Sequence, residues 1–455
     1  MDYSSKRQLI LQGKMSRVLI ILAVPLMLNN LIQTLYSLTD TFWISKLGSI
    51  EVAAMTFVWP VNFLTISLGM GLSVAGTALI AQYAGCNQYK EAKMISGQLF
   101  SFSLILSFCI ALLGYFATPT IIHAMGGRGD LATSSIAYLS IMFLDVPPLF
   151  LFFIFGSIKQ AQGDTMSPMI LNVASALLNV ILDPIFIFTL GLGIRGAAMA
   201  TVISKLIFTF YMTYILFKRS EGIYLQKRAL SLNRTLLAQL IKIGLPSTIG
   251  HSASAFGFII LNIFVVSYGS STLAAFGIGN RINSLILMPS MGIGSALATV
   301  IGQNLGANQI ERAKEAFRTG TFLTMVFMVL CSPILIYYSR EVIAIFSKDM
   351  EVITQGTTYL CLISATMPFM GLFNVLIGTF QGSGHTMYSM FMDMGRLWGL
   401  RIPLILLLKH LTDWGPNTIW YAMIVSNGLI CIFGLSLYWK GDWHHRVIKE
   451  EEYLG

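Results

Sequence analysis

Ala81-Gln-Tyr-Ala-Gly-Cys-Asn-Gln-Tyr-Lys-Glu-Ala-Lys93 returns later in the chain as Gly302-Gln-Asn-Leu-Gly-Ala-Asn-Gln-Ile-Glu-Arg-Ala-Lys314. Gln82/Gln303, Gly85/Gly306, Asn87/Asn308, Gln88/Gln309, Ala92/Ala313 and Lys93/Lys314 all stand 221 residues apart. The same spacing joins Pro25 to Pro246, Gly48 to Gly269, Ser49 to Ser270, Ala53-Ala54 to Ala274-Ala275, Met70-Gly71 to Met291-Gly292, Gly163 to Gly384 and Thr165-Met166 to Thr386-Met387. Shared apolar composition does not produce such a match, because the polar loop repeats as well. The chain is an internal duplication, held at one spacing without a gap over some 140 residues.

What flanks these loops is apolar. Of 455 residues 55% are hydrophobic and 11% charged, and the mean hydropathy is +0.73. An average soluble domain carries about 25% charged residues. Too few charges remain to make a polar skin, which excludes a cytosolic enzyme, a disordered chain and, despite the net charge of +9, a nucleic-acid binder. Runs of about 20 apolar residues cross a ~30 Å hydrocarbon core as helices. Twelve such runs are expected: 18–41, 53–82, 97–120, 133–157, 166–188, 194–217, 243–266, 273–301, 319–338, 355–379, 387–408 and 417–439. They are long and apolar all round, unlike the short alternating strands of a barrel.

The fold class is therefore an all-α membrane protein, twelve transmembrane helices in two six-helix lobes. Six spans return the chain to its starting side, so the lobes form a parallel repeat about a pseudo-two-fold along the membrane normal. The expected division is an N-terminal lobe at 1–217, a cytoplasmic linker at 218–242, a C-terminal lobe at 243–439 and a cytoplasmic tail at 440–455. With the N-terminus inside, the inner segments hold 19 Lys and Arg and the outer segments six. That bias places both termini on the cytoplasmic side of the cell membrane. The polar start Met1–Arg17 runs into a span too long for a cleaved signal peptide. The five cysteines, Cys86, Cys109, Cys331, Cys361 and Cys431, have no metal-ligand spacing and read as free thiols.

An ionisable group inside a span costs roughly 2.5–3.5 kcal/mol on insertion scales and so points to function. The acids are Asp40, Asp145, Asp183 and Asp393. Asp393 lies one turn before Arg396, and the pair can neutralise itself. Asp145 precedes Pro147-Pro148 and can satisfy backbone groups the prolines free. Asp40 and Asp183 have no basic residue within four positions. Tyr36 lies four before Asp40 and Gln33 seven before it; Asn179 lies four before Asp183, on one helix face. Carboxylates with neutral oxygens in a dry cavity can hold a hard cation; a desolvated carboxyl beside a like charge can instead carry a proton. At the repeat spacing Gln33, Asp40, Asn179, Asp183 and Thr201 meet Ser254, Leu261, Leu400, Leu404 and Ala422. Ion coupling is thus expected in the N-terminal half alone.

Leu38-Thr-Asp-Thr-Phe-Trp-Ile44 with Gly48 and Ala53-Ala54, and Leu182-Asp-Pro-Ile-Phe-Ile-Phe-Thr-Leu-Gly-Leu-Gly-Ile-Arg-Gly-Ala-Ala-Met-Ala-Thr201, resemble motifs of the multidrug and toxic compound extrusion (MATE) family. The resemblance covers essentially the whole chain and is closest to the DinF-like branch. It implies a secondary antiporter that expels amphipathic, often cationic, organic compounds against inward H+ or Na+ by alternating access. It implies an ion-coupling site at Asp40, Asn179, Asp183 and Thr201, where Na+ is the possible metal, and a substrate cavity that includes Gln33. Phe369–Phe380 contains no carboxylate, so the second-lobe acid of another branch has no counterpart. Lys205 departs from the pattern. It shares a face with Thr201, and an ammonium beside Asp40 and Asp183 would compete with Na+, which favours H+. Tyr36 and Lys205 complete the expected cavity lining.

No cofactor is expected, nor is any enzyme: no H-E-x-x-H, no G-x-S-x-G and no paired His cluster lies in the spans. The expected partners are small organic molecules and the bilayer, with the chain a monomer. The alternative is a lipid-linked saccharide flippase of the same superfamily, kept open by Arg281, Arg396 and Arg401 in the second half.

Overall fold

The computed structural model describes residues 3–218 and 222–448. Arg219 of the expected linker, and Lys449 with the end of the expected tail, lie outside the described residues. The elements are helices α1 (Tyr3–Gln12), α2 (Met15–Ser45), α3 (Ser49–Gly85), α4 (Tyr89–Ala124), α5 (Gly129–Leu144), α6 (Val146–Ala161), α7 (Met166–Pro184), α8 (Gly193–Phe217), α9 (Arg234–Val266), α10 (Ser270–Gly306), α11 (Ile310–Tyr337), α12 (Ser339–Phe346), α13 (Met350–Ala365), α14 (Met367–Gly382), α15 (Thr386–Met394), α16 (Ile402–Leu411) and α17 (Asn417–Lys440). No strand occurs among the described residues.

Nine helices of the described residues are long and apolar enough to span a membrane. Two pairs, α5 with α6 and α13 with α14, pass the same test together and bend by 44° and 52°. Both bends sit where Asp145 and Thr366 lead into a helix with proline in its first turn. Proline has no N–H to donate and disfavours helical geometry in the residue before it. The helical run Thr386–Leu411 supplies the twelfth span, with a π-helical segment, Gly395–Arg401, between α15 and α16.

The repeat is visible residue by residue. Asn87 and Asn308 are the only non-glycine residues with positive φ among the described residues, at 65° and 60°. Asn tolerates this left-handed conformation better than other L residues. In both loops the following Gln amide donates back to the preceding helix, Gln88 to Tyr83 (3.0 Å) and Gln309 to Asn304 (2.8 Å). Gly163 and Gly384 repeat the device at φ 78° and 80°. Arginines close the two long helices that end in these loops. Arg7 donates to the carbonyls of Ala84 (2.9 Å) and Gly85 (2.7 Å), and Arg446 to that of Gly306 (3.4 Å). A cation there meets the carbonyls a helix C-terminus leaves open.

The chain forms two compact units: Met1–Gln8 with Leu28–Thr248, and Leu9–Met27 with Ile249–Gly455. The division therefore falls inside α2 and α9, away from the linker expected at 218–242. The described residues of that stretch are packed. Gln98 donates to the carbonyls of Ala229 (2.9 Å) and Ser231 (2.6 Å) and accepts from the Asn233 amide (2.7 Å), while Gln162 exchanges hydrogen bonds with Ile223. The core of the second unit joins Met15, Val18, Leu19 and Leu22 to Leu297, Val300, Ile301, Val375, Leu376 and Phe380. Apolar side chains such as Leu113, Phe116, Phe210, Ile263, Phe322 and Leu330 point outward, as lipid-facing residues do.

Candidate functional site

Three helices of the first unit bring the expected residues together. Tyr36 and Asp40 lie one turn apart on α2, Asn179 and Asp183 one turn apart on α7, and Thr201 and Lys205 one turn apart on α8. Asn179 Nδ2 donates to Asp183 Oδ1 (3.2 Å) and to Thr201 Oγ1 (3.4 Å), and Tyr36 Oη meets Thr201 Oγ1 at 3.1 Å. Asp40, Asn179, Asp183 and Thr201 are 5%, 1%, 0% and 3% exposed, so none of these polar groups has bulk water to solvate it. Asp40 Oδ1, Asp183 Oδ2 and Asn179 Oδ1 are buried with no hydrogen-bond partner. Asp40 and Asp183 repel each other electrostatically, and no ion pair joins either of them to a cation among the described residues.

Local sequence builds this arrangement. Pro184 cannot donate to the carbonyl four residues back, and the chain beyond it winds as a π-helix over Ile185–Thr189. Gly191 and Gly193, at φ 65° and 56°, then turn the chain into α8. Gly196 lets α8 lie directly on the π-helical backbone: a Cβ there would sit 2.5 Å from the Phe186 carbonyl oxygen. This close approach sets Thr201 against Asn179.

Lys205 behaves differently from the expectation. Its ammonium is ion-paired and hydrogen-bonded to Asp145 Oδ2, at the α5–α6 bend. It still acts on Asp40 through space, but its bonded partner lies on another element. Asp145 correspondingly uses its side chain on Lys205 and makes no cap bond to the proline-led helix that follows. Gln33 is exposed and stands outside the hydrogen-bonded set. Tyr138 was not anticipated. It is 4% exposed and within electrostatic reach of Asp40, Asp145 and Asp183. Its partner at the repeat spacing is Tyr359, also buried, and that coincidence was the available signal.

In the second unit Asp393 and Arg396 do not form the expected ion pair among the described residues. The π-helical segment begins between them, and its wider turn carries Arg396 off the face that an α-helix would share with Asp393. Arg396 lies instead over the Phe373 ring, 4.7 Å from its centroid. Arg281 is exposed.

A duplicated all-helical chain with buried, unpaired carboxylates defines a multi-pass membrane transporter built from two repeats. The MatE family model matches residues 25–185 and again 246–407. The chain belongs to the MatE family, the multidrug and toxic compound extrusion proteins, whose members are transporters and not enzymes. It is 27% identical to the probable multidrug resistance protein YoeA of Bacillus subtilis over 437 residues, 94% of each chain. It is 26% identical to an FAD transporter of Shewanella oneidensis over 433 residues, 93% of this chain and 95% of that one. Among solved structures, an outward-facing multidrug resistance MATE transporter of the MOP superfamily matches with a TM-score of 0.89 at 25% identity, over 94% of this chain and 96% of that one.

Proposed function

We propose that this chain is a secondary antiporter that exports amphipathic, often cationic, organic compounds from the cytoplasm in exchange for inward H+. The observation that carries the reading is the pair Asp40 and Asp183, both buried, mutually repelling, each with an oxygen that nothing among the described residues satisfies. Three buried carboxylates, Asp40, Asp145 and Asp183, stand against the single ammonium of Lys205. Uncompensated buried charge is costly enough that the site takes up a cation or a proton from outside. Two mutually repelling carboxyls serve as a proton carrier, because one of them gains most by neutralisation.

Na+ is the competing coupling ion. Lys205 is ion-paired to Asp145 and not to Asp40 or Asp183 among the described residues, so the sequence-based argument against Na+ loses weight. The oxygens of Asp40, Asn179, Asp183 and Thr201 are the donor set that would receive either ion. Alternating access of the two repeats, with both termini in the cytoplasm of the cell, completes the mechanism: the ion enters at the N-terminal site and a compound leaves in the same cycle. The names of YoeA and of the matched transporter structure support export of many compounds. Dye efflux from everted membrane vesicles tests the reading, with proton and sodium gradients imposed separately. Ethidium transport that follows the proton gradient alone is expected; transport that follows sodium alone replaces the ion, and none with either removes the antiporter assignment.

A further inference from the structure

The second unit carries buried charge of the opposite sign. Arg396 is 9% exposed and Arg401 1% exposed, both in the π-helical segment Gly395–Arg401, and the two guanidiniums act on one another. Among the described residues Asp393 is the carboxylate that acts electrostatically on Arg396, and His251 acts on Asp393 in turn. Two guanidiniums against one carboxylate leave at least one positive charge uncompensated inside the membrane-spanning region.

The donors around these charges are also in excess. Arg401 is partly satisfied: Nε donates to Ser426 Oγ (3.1 Å) and Nη2 to Asn427 Oδ1 (2.7 Å), while Asn427 is itself held by Thr366 (3.3 Å). Arg396 is not. Its one hydrogen bond runs from Nη1 to the Met370 thioether at 3.7 Å, and its Nε is buried with no acceptor. Tyr359, which lies within the field of Arg401, also has a buried hydroxyl without a partner. The Arg396 guanidinium is stacked on Phe373 and lies 6.0 Å from the centroid of Phe258. Stacking fixes the plane of the fork, and its N–H donors lack an oxygen acceptor, the kind of partner Arg takes from a carboxylate or phosphate through two parallel N–H bonds.

We propose that Arg396, supported by Arg401, binds the acidic group of an organic compound, a carboxylate or phosphate attached to an aromatic or otherwise apolar body that rests against the half-buried Phe258. The inference rests on the export reading above and deepens it: the exported class includes aromatic acids and zwitterions as well as cations. One unit would take the coupling cation, the other the anionic end of the cargo.

The test uses the full chain in phosphatidylcholine nanodiscs and the fluorescent acid 1-pyrenebutyrate against its uncharged amide, 1-pyrenebutanamide. A charge-assisted bidentate contact predicts tighter binding of the acid by about tenfold or more. Arg396→Gln is expected to erase that preference, and Arg396→Lys to keep part of it as a point charge. Equal binding of acid and amide by the unaltered chain overturns the proposal whether or not the variants fold. So does a preference that survives in a folded Arg396→Gln protein. Repeating the measurement with phosphatidylglycerol separates the sources of the oxyanion. A preference that persists supports a soluble acid; one abolished by that lipid assigns the site to a headgroup and overturns the soluble-acid assignment. Ethidium, which has no acidic group, keeps the two readings apart. Absent ethidium efflux with intact acid preference sinks the export reading alone; efflux without acid preference sinks this one.

Discussion

Replacing Lys205 by Met would strip the Asp145 carboxylate of the one bonded partner it has among the described residues. The Asp145 side chain is 3% exposed, its Oδ1 already lacks a hydrogen bond, and Oδ2 is bound to the Lys205 ammonium. Removing one member of a buried pair generally costs about 3–5 kcal/mol, because the other charge is left stranded. The Lys205 side chain is 17% exposed and so incompletely buried by protein, and the loss is expected at the lower end, about 3 kcal/mol. Removing both charges, as Asp145→Leu with Lys205→Met, should recover most of it, since a buried pair exchanged for apolar groups is often neutral. The assay is reversible unfolding of purified protein in mixed micelles, followed by fluorescence for the four members of a double-mutant cycle. A coupling of about 2 kcal/mol or more is expected between the two positions. If the double variant equals the sum of the singles to within about 0.5 kcal/mol, the ion pair does not exist in the membrane, and Lys205 must be sought beside Asp40 and Asp183 after all.

Asp40→Asn and Asp183→Asn should each reduce gradient-driven ethidium efflux at least about tenfold with folding intact; unaltered efflux in the double variant would remove both from coupling. Gly196→Leu should destabilise the protein by about 1–3 kcal/mol and abolish transport, because a Cβ 2.5 Å from the Phe186 carbonyl forces α8 off the π-helical segment; a fully active, stable variant contradicts the packing argument. Cysteines placed singly at Asn87 and Asn308 in a cysteine-free chain should both react only with reagent supplied from the cytoplasmic side, and labelling of either from outside would break the topology. Burial alone would raise the Asp164 carboxyl, but hydrogen bonds from Ser167 (2.7 Å to the hydroxyl) and the Lys6 ammonium at 3.3 Å outweigh it and hold the group below the usual carboxylate range. A lowered folded-state value stabilises the protein above the ordinary Asp value of about 3.9 and the benefit disappears as pH falls through the folded value. The wild type should therefore exceed Asp164→Asn in thermal stability by up to about 1 kcal/mol near neutral pH, with the gap closing in acid; a gap independent of pH argues against the pairing.

Periodicity and spacing revealed what depends on neighbours along the chain. The repeat was legible because turns need particular residues: Asn in the left-handed position at 87 and 308, and Gly at 163 and 384. Asp40, Asn179, Asp183 and Thr201 were legible because a charge in an apolar run is conspicuous and the family motifs mark those positions. Partners across helices were not. Lys205 and Asp145 are 60 residues apart in the chain, and reasoning along one helix face sees only positions three or four away. The Asp393–Arg396 pairing failed for a different reason: the rule that residues one turn apart meet assumes an unbroken α-helix, and Gly395 starts a π-helical turn. Tyr138 was hidden because a tyrosine in an apolar run looks like core until its neighbours are known.

The two π-helical segments also change which residues of the two halves are counterparts. A π-helical turn holds one residue more than the α-helical turn it replaces. In the second half the extra residue enters at Gly395–Arg401; in the first it enters later, at Ile185–Thr189. The spacing of 221 thus holds up to the first insertion point; beyond it the halves stand 222 apart, as Gly193 and Gly415, at φ 56° and 57°, do. There Asn179 corresponds to Arg401, not Leu400, and Asp183 to Ile405. An amide that serves a carboxylate in one half is therefore replaced by a guanidinium in the other. The extra residue thus sets an amide of the first half against a guanidinium of the second, while the loops at Asn87 and Asn308 keep their common turn.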